Sequence, residues 1–248
     1  MSILHCRCAN ASVIPEAVGA VVSKALAGRP DVVTVDDLCA CAANRDPRLA
    51  AWAADGQLTV AACHPRAVRW LFRWAGSSLD EARVRFVDLR RETAPEFSAA
   101  PAGGAEAPMA GGSALADAWP PWFPVIDYDR CRQCRQCLSF CLFGVYALAP
   151  DGKVVVANPR QCKNNCPACS RICPDVAIMF PKLPEAESPL NGDAITDEAA
   201  IKARARINAG EILGADVHAA LARRREESAR RRLKRPAAPP AEPEREAP

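Results

Sequence analysis

Eight cysteines between Cys131 and Cys173 are the residues of this chain most able to do chemistry: Cys131, Cys134, Cys137, Cys141, Cys162, Cys166, Cys169 and Cys173. They fall in two runs, C-x2-C-x2-C-x3-C and C-x3-C-x2-C-x3-C-P. Thiolates are soft ligands, and sets of four hold zinc or an iron–sulfur cluster, or pair as disulfides. Zinc knuckles favour two well-separated C-x2-C pairs, each closing one tetrahedral site. Disulfide frameworks belong to small exported domains, and the opening MSILHCRCAN does not read as an export signal. Three cysteines crowded on a tight loop, with a fourth close behind, suit a cluster that needs one thiolate at each of four corners.

The two runs resemble the bacterial-type two-[4Fe-4S] ferredoxin domain over about residues 123–182. That resemblance implies two [4Fe-4S] clusters, each taking three cysteines from one run and its fourth from the other. One cluster would use Cys131, Cys134, Cys137 and Cys173. The other would use Cys162, Cys166, Cys169 and Cys141. Each run's last cysteine is expected at the start of a short helix pointing back across the pseudo-twofold. Two departures stand out: Leu142 replaces the proline usual after the fourth cysteine, and Lys163-Asn164-Asn165 makes one loop a residue longer. Neither removes a ligand.

These cysteines need elements to position them. Around them the sequence predicts strands at Val125–Tyr128, Lys153–Ala157 and Ile178–Phe180, with a helix over Leu138–Val145. That is an α+β ferredoxin-like double βαβ module, whose small apolar core leaves the clusters to organise the fold. Arg130, Arg132, Arg135, Lys163 and Arg171 flank the cysteines, where positive charge would raise a cluster's potential. Trp119, Trp122 and Phe123, interleaved with prolines, are expected on the outside of this core, with a partner-docking patch as the sharper alternative.

The first 91 residues carry a different pattern. Strand-like runs at Ser2–Cys8, Val32–Leu38, Leu58–Cys63 and Val84–Leu89 alternate with helical stretches at Pro15–Ala27, Pro47–Ala54 and Pro65–Ala75. Such alternation predicts a small α/β domain with a mostly parallel sheet. Five further cysteines, Cys6, Cys8, Cys39, Cys41 and Cys63, are placed at strand C-terminal ends, the edge where open α/β sheets bind ligands. Inert core thiols explain one or two of these but not five at one edge. His64, beside Cys63, is expected to be a solvent-facing residue at a helix start.

The elements HCRCAN, DLC and ACHPR resemble the N-terminal domain of the flavin-binding subunit of heterodisulfide reductase, through Cys6, Cys8, Asn10, Cys39, Cys63, Pro65 and Arg66. The resemblance implies a third [4Fe-4S] cluster at Cys6, Cys8, Cys39 and Cys63, leaving out Cys41, which has no counterpart. The flavin-binding body of that protein has none either, because this chain lacks a G-x-G-x-x-G strand–turn–helix.

Composition bounds the rest. The chain has 248 residues, thirteen cysteines, three histidines and a formal net charge of +3. No apolar run approaches a membrane span, so a cytoplasmic protein with no membrane span is expected. Residues 92–122 are rich in Ala, Pro and Gly and read as a flexible linker. Residues 183–235 read as a connector and basic helices, with Thr196 as a cap, and 236–248 as a disordered tail. Basic runs at Arg223–Arg225 and Arg230–Arg232 suit docking on an acidic redox partner, and nucleic acid is not expected.

Clusters ligated only by thiolates pass electrons rather than transform a substrate. The expected function is therefore an iron–sulfur electron carrier or electron-transfer subunit working between redox partner proteins, with no catalytic residues assigned. One alternative is a component of a heterodisulfide-reductase-like oxidoreductase in which the N-terminal cysteines do chemistry. Another is an iron–sulfur nucleic-acid-binding protein using the basic tail.

Overall fold

The computed structural model describes residues 2–92, 96–97, 119–185, 188–195, 197–199, 223 and 226. Most of the expected linker, the Thr196 cap and nearly all of the basic extension lie outside the described residues.

Strands β1 (Ser2–Cys6), β2 (Val32–Val35), β3 (Leu58–Ala62) and β4 (Val84–Asp88) form one parallel sheet in the order β2-β1-β3-β4. Every residue of β3 is buried, as a parallel strand covered on both faces must be. One face meets α1 (Glu16–Leu26), whose Val18, Val22 and Leu26 pack with Ile3, Ala61 and Val87. The other face presents Leu4, Val33, Leu58 and Val60 to α2 (Leu38–Ala43), α3 (Arg48–Ala53) and α4 (Pro65–Trp74). The parallel α/β expectation is met, with one difference. The second strand stops at Val35, and Asp37 caps a helix, its Oδ1 accepting from Ala40 N at 3.2 Å. An N-cap carboxylate ahead of an LCACAA run favours that helix over a longer strand. Cys39 and Cys41 thus lie on α2, not at a strand end.

The second half is built from short pieces. β5 (Val125–Ile126) pairs antiparallel with β8 (Ile178–Met179), and β6 (Tyr146–Leu148) with β7 (Val154–Val156). Between them lie α5 (Gln136–Phe140) and α6 (Ala168–Arg171). The expected helix over Leu138–Val145 is shifted toward the N-terminus. Gly144, at φ 72, ends the stretch and Tyr146 begins β6, since a left-handed residue breaks a helix.

The two halves share a core. Phe123, Val125 and Met179 join the apolar cluster on α4. The Phe123 ring tilts against Trp74 at 5.4 Å, and Tyr128 meets Trp70 edge-on at 5.7 Å. Trp122 stacks on Phe180 at 5.1 Å. Trp122 and Phe123 are therefore buried in the molecule, not laid on its outside. Polar contacts lock the seam. On α4, Arg66 donates from Nε to Asp127 Oδ2 at 2.7 Å, from Nη1 to Pro189 O at 3.1 Å and from Nη2 to Val176 O at 2.9 Å. Trp74 Nε1 donates to Val156 O at 3.2 Å.

After β8 the chain runs back over the start of α4. There Gly192, at φ +112, sits so close that a Cβ would fall 2.6 Å from Ala67 Cβ and 3.0 Å from His64 Cβ. Replacing Gly192 with alanine is therefore expected to cost roughly 2–3 kcal/mol, combining backbone strain with overpacking. Gly19, inside α1 with open space around it, should tolerate alanine with a gain of about 0.5–1 kcal/mol. Denaturant melts of the Gly192→Ala and Gly19→Ala variants check this contrast. Equal midpoints would show that the returning segment is not held against α4.

Candidate metal centre

All thirteen cysteines are free thiols, and the five in the first half are buried. In the second half, sharp turns aim the cysteines. Gln133 and Arg135 take left-handed φ values of 58° and 64°, so the chain reverses between Cys131, Cys134 and Cys137. Gln133 also accepts from Val154 N at 2.7 Å, tying this loop to β7. In the other loop Asn165, at φ 57, absorbs the extra residue. Asparagine is among the side chains that tolerate this conformation best.

The structure brings Cys131, Cys134, Cys137 and Cys173 around one pocket, walled by Ile126, Val154 and Ile178. Burial, then the charge of Cys173, with Cys131 and Cys134 behind it, pushes the Cys137 thiol up to about 12. Ala177 N donates to Cys173 Sγ at 3.3 Å. Cys141, Cys162, Cys166 and Cys169 form the other group. Burial, followed by the charges of Cys141 and Cys166, lifts Cys162 to about 12. Burial raises Cys169, a hydrogen bond with Tyr146 works against that, and the charges of Cys162, Cys141 and Cys137 add to the rise. The last cysteine of each run does not start a helix: Cys141 is the C-cap of α5, and Cys173 follows α6. The helices instead carry Cys137 and Cys169.

The flanking cations are mostly matched by anions. Arg132 pairs with Asp175 at 2.6 Å, Arg171 with Glu185 at 2.6 Å and Arg130 with Glu198 at 3.0 Å. Among the described residues, no three His, Cys, Asp or Glu side chains converge as ligands of a single metal ion do.

At the sheet edge, Cys6 ends β1, Cys8 follows it at φ 51, Cys39 sits in the first turn of α2 and Cys63 follows β3. These four act on one another. A side-chain hydrogen bond between Cys8 and Cys63 raises the pKa of Cys8 and lowers that of Cys63, and repulsion from Cys6 and Cys39 raises Cys8 further. Leu38 N donates to Cys6 Sγ at 3.3 Å. Cys41, fully buried on α2, acts on Arg48.

Two groups at this edge were not legible as site residues. Asp37, 1 % exposed, caps α2, accepts from Asn10 Nδ2 at 3.0 Å and pairs with Lys182. Burial opposes the charge on Lys182, but Cys39, Asp37 and Cys8 outweigh it and raise its pKa. Asp37 carries a local signal, as a cap residue before a helical run. Lys182 lies so far away in sequence that only folding brings it here.

His64 corrects an expectation: it is buried, with Nδ1 3.2 Å from Asp193 Oδ1. Burial, with Arg90 nearby, lowers its pKa to about 4, so it is neutral near pH 7. The segment that returns after β8 covers it, and a helix start seen alone gives no sign of that cover.

The donor set suits iron–sulfur clusters. Each group offers thiols, apolar walls or burial, and the groups containing Cys6 and Cys173 add a backbone N–H aimed at sulfur; these are features that hold and tune such clusters. Comparison with known proteins agrees for the second half. Residues 123–175 match the family model of the 4Fe-4S dicluster domain. This stretch is a ferredoxin-type iron–sulfur domain. The chain is also 54% identical, over 61 residues, to an uncharacterized ferredoxin of Methanocaldococcus jannaschii. The match covers 24% of this chain and 41% of that protein, so the chain spans well under half of its relative's length. No solved structure matches. Among the described residues, no helix is long and apolar enough to cross a membrane.

Tyr146 gives a test of tuning. Its hydroxyl is buried beside Cys169 and has no partner besides that sulfur among the described residues. Hydrogen bonds to cluster sulfurs raise reduction potentials. Tyr146→Phe should therefore lower the midpoint of one iron–sulfur centre and leave the others unmoved in a potentiometric titration followed by electron paramagnetic resonance.

Proposed function

We propose that this chain is an iron–sulfur electron-transfer protein or subunit that relays single electrons between redox partner proteins. Two [4Fe-4S] clusters are held by Cys131, Cys134, Cys137 and Cys173, and by Cys141, Cys162, Cys166 and Cys169. A third is held by Cys6, Cys8, Cys39 and Cys63, as the resemblance to heterodisulfide reductase implies. When bound, such clusters accept and give up one electron at a time.

One observation supports this reading above the others: Cys173 lines the same pocket as Cys131, Cys134 and Cys137, as an exchange of fourth cysteines between the two runs requires. The protein's contribution is to fix the thiols, keep water from the sulfurs and supply N–H donors to them. Lys182 and its partner Asp37 set the charge beside the N-terminal group. The shared core keeps that group and the ferredoxin-type domain in one fixed arrangement, which a relay needs.

Metal content tests the assignment. Anaerobically prepared protein should carry about twelve iron atoms and as many sulfides per chain. Cys39→Ser should lower the count to about eight, while Cys41→Ser should leave it near twelve. About eight in the unaltered chain would remove the N-terminal cluster alone. Colourless, zinc-bearing protein would remove the whole reading.

A further inference from the structure

Beside the N-terminal cysteines lies a cavity of about 410 Å³, within the range of small-molecule sites. Its position follows from topology. In the order β2-β1-β3-β4, the chain leaves β1 and β3 toward opposite sides. The crevice beyond the C-terminal ends of such strands is where open α/β sheets take their ligands. The cavity wall comes from the loop after β1 (Ser12), the residue before α4 (His64), the turn after β4 (Arg90 and Arg91) and the segment after β8 (Lys182 and Asn191).

Cations dominate the wall. Lys182 is matched by Asp37, and Arg90 by Asp88 and Asp193. Glu185, also on the wall, is matched by Arg171. Arg91 differs: it is 56% exposed and stands 3.7 Å from Asp88 and 3.6 Å from Asp193, beyond hydrogen-bond reach. Its planar fork of donors therefore has capacity left for a bidentate oxyanion. A second observation is independent of charge. His64 is 1 % exposed, yet its Nε2 has no hydrogen-bond partner among the described residues. A buried polar nitrogen costs free energy unless something bonds to it, and this one belongs to a side chain of the cavity wall.

We propose that this cavity is the binding site of a small oxyanion-bearing molecule, a carboxylate or phosphate compound. Arg91 receives the oxyanion, and His64, whose Nδ1–H donates to Asp193 Oδ1, leaves Nε2 as an acceptor for a hydroxyl of the same molecule. The loop bearing Ser12 follows Cys8, and His64 follows Cys63, so the occupant lies next to the N-terminal thiols. Binding itself does not depend on whether those thiols hold iron.

Isothermal titration of the anaerobically prepared full chain with inorganic phosphate and with succinate tests this. Saturable binding of at least one anion is expected, weakened about ten-fold or more in Arg91→Ala and less in Arg91→Lys. Ser12→Glu, which places a carboxylate at the exposed mouth, should weaken it as well. The proposal is overturned if neither anion binds saturably, or if Arg91→Ala and Ser12→Glu bind as the unaltered chain does. Iron content measured on the same samples keeps this outcome separate from the cluster assignment.

Discussion

Gathering several thiolates in a water-poor pocket is unfavourable unless positive charge is placed among them, and much of this molecule answers that constraint. Burial and mutual repulsion raise Cys137, Cys162 and Cys169 alike. Ligation requires the deprotonated form, so metal binding must supply the free energy that the thiols alone lack. The backbone is bent to meet the same demand. Gln133, Arg135 and Asn165 take positive φ next to a cysteine, Cys8 as one, and Val176 three residues after Cys173. For a β-branched residue such as Val176 that conformation costs of order 1–3 kcal/mol, which the surrounding packing and ligation must offset.

The second half alone has little to offset it with. Its strands are two or three residues long, and two-stranded pieces of that size are marginal in water. It gains stability by leaning on α4. Trp70, Trp74, Phe123 and Tyr128 fill the seam, and Arg66 ties three acceptors across it. Arg66 and Asp127 are both largely buried. Such a pair contributes little compared with an apolar replacement, but loss of one partner strands the other at a cost of about 3–5 kcal/mol. The pair therefore fixes how the halves meet more than it adds to stability.

The sequence showed the parallel sheet and the ferredoxin-type domain more clearly than it showed the seam. Apolar runs such as Leu58–Ala62 and the spacing around Cys131 are local signals, and local signals survive without knowledge of the fold. Cys6, Cys8, Cys39 and Cys63 were singled out through the resemblance carried by HCRCAN, DLC and ACHPR, and Cys39 stands on α2 and not at a strand end. The α2 helix was missed because VVTVDDL reads as a continuing strand until Asp37 is recognised as a cap. His64, Lys182 and Trp122 were misplaced or unseen because their surroundings come from residues distant in sequence. No periodicity records that Asp193 lies on His64 or that Lys182 reaches Asp37.

That last contact bears on how the molecule is divided. The sequence pattern suggests two domains joined by a tether, and a tether would let them move independently. Yet the segment from Lys182 to Asp193, which continues β8, supplies Lys182 to the N-terminal thiols and Asp193 to His64 and Arg90. The edge of the first sheet is thus completed by the second half. Burying Lys182 between the halves costs desolvation, and its attraction to Asp37, Cys39 and Cys8 outweighs that cost. The attraction between Lys182 and these anionic neighbours, together with the aromatic seam, makes one body of what the chain order presents as two. Within one body the separation between thiol groups is set by packing and not by the length of residues 92–122.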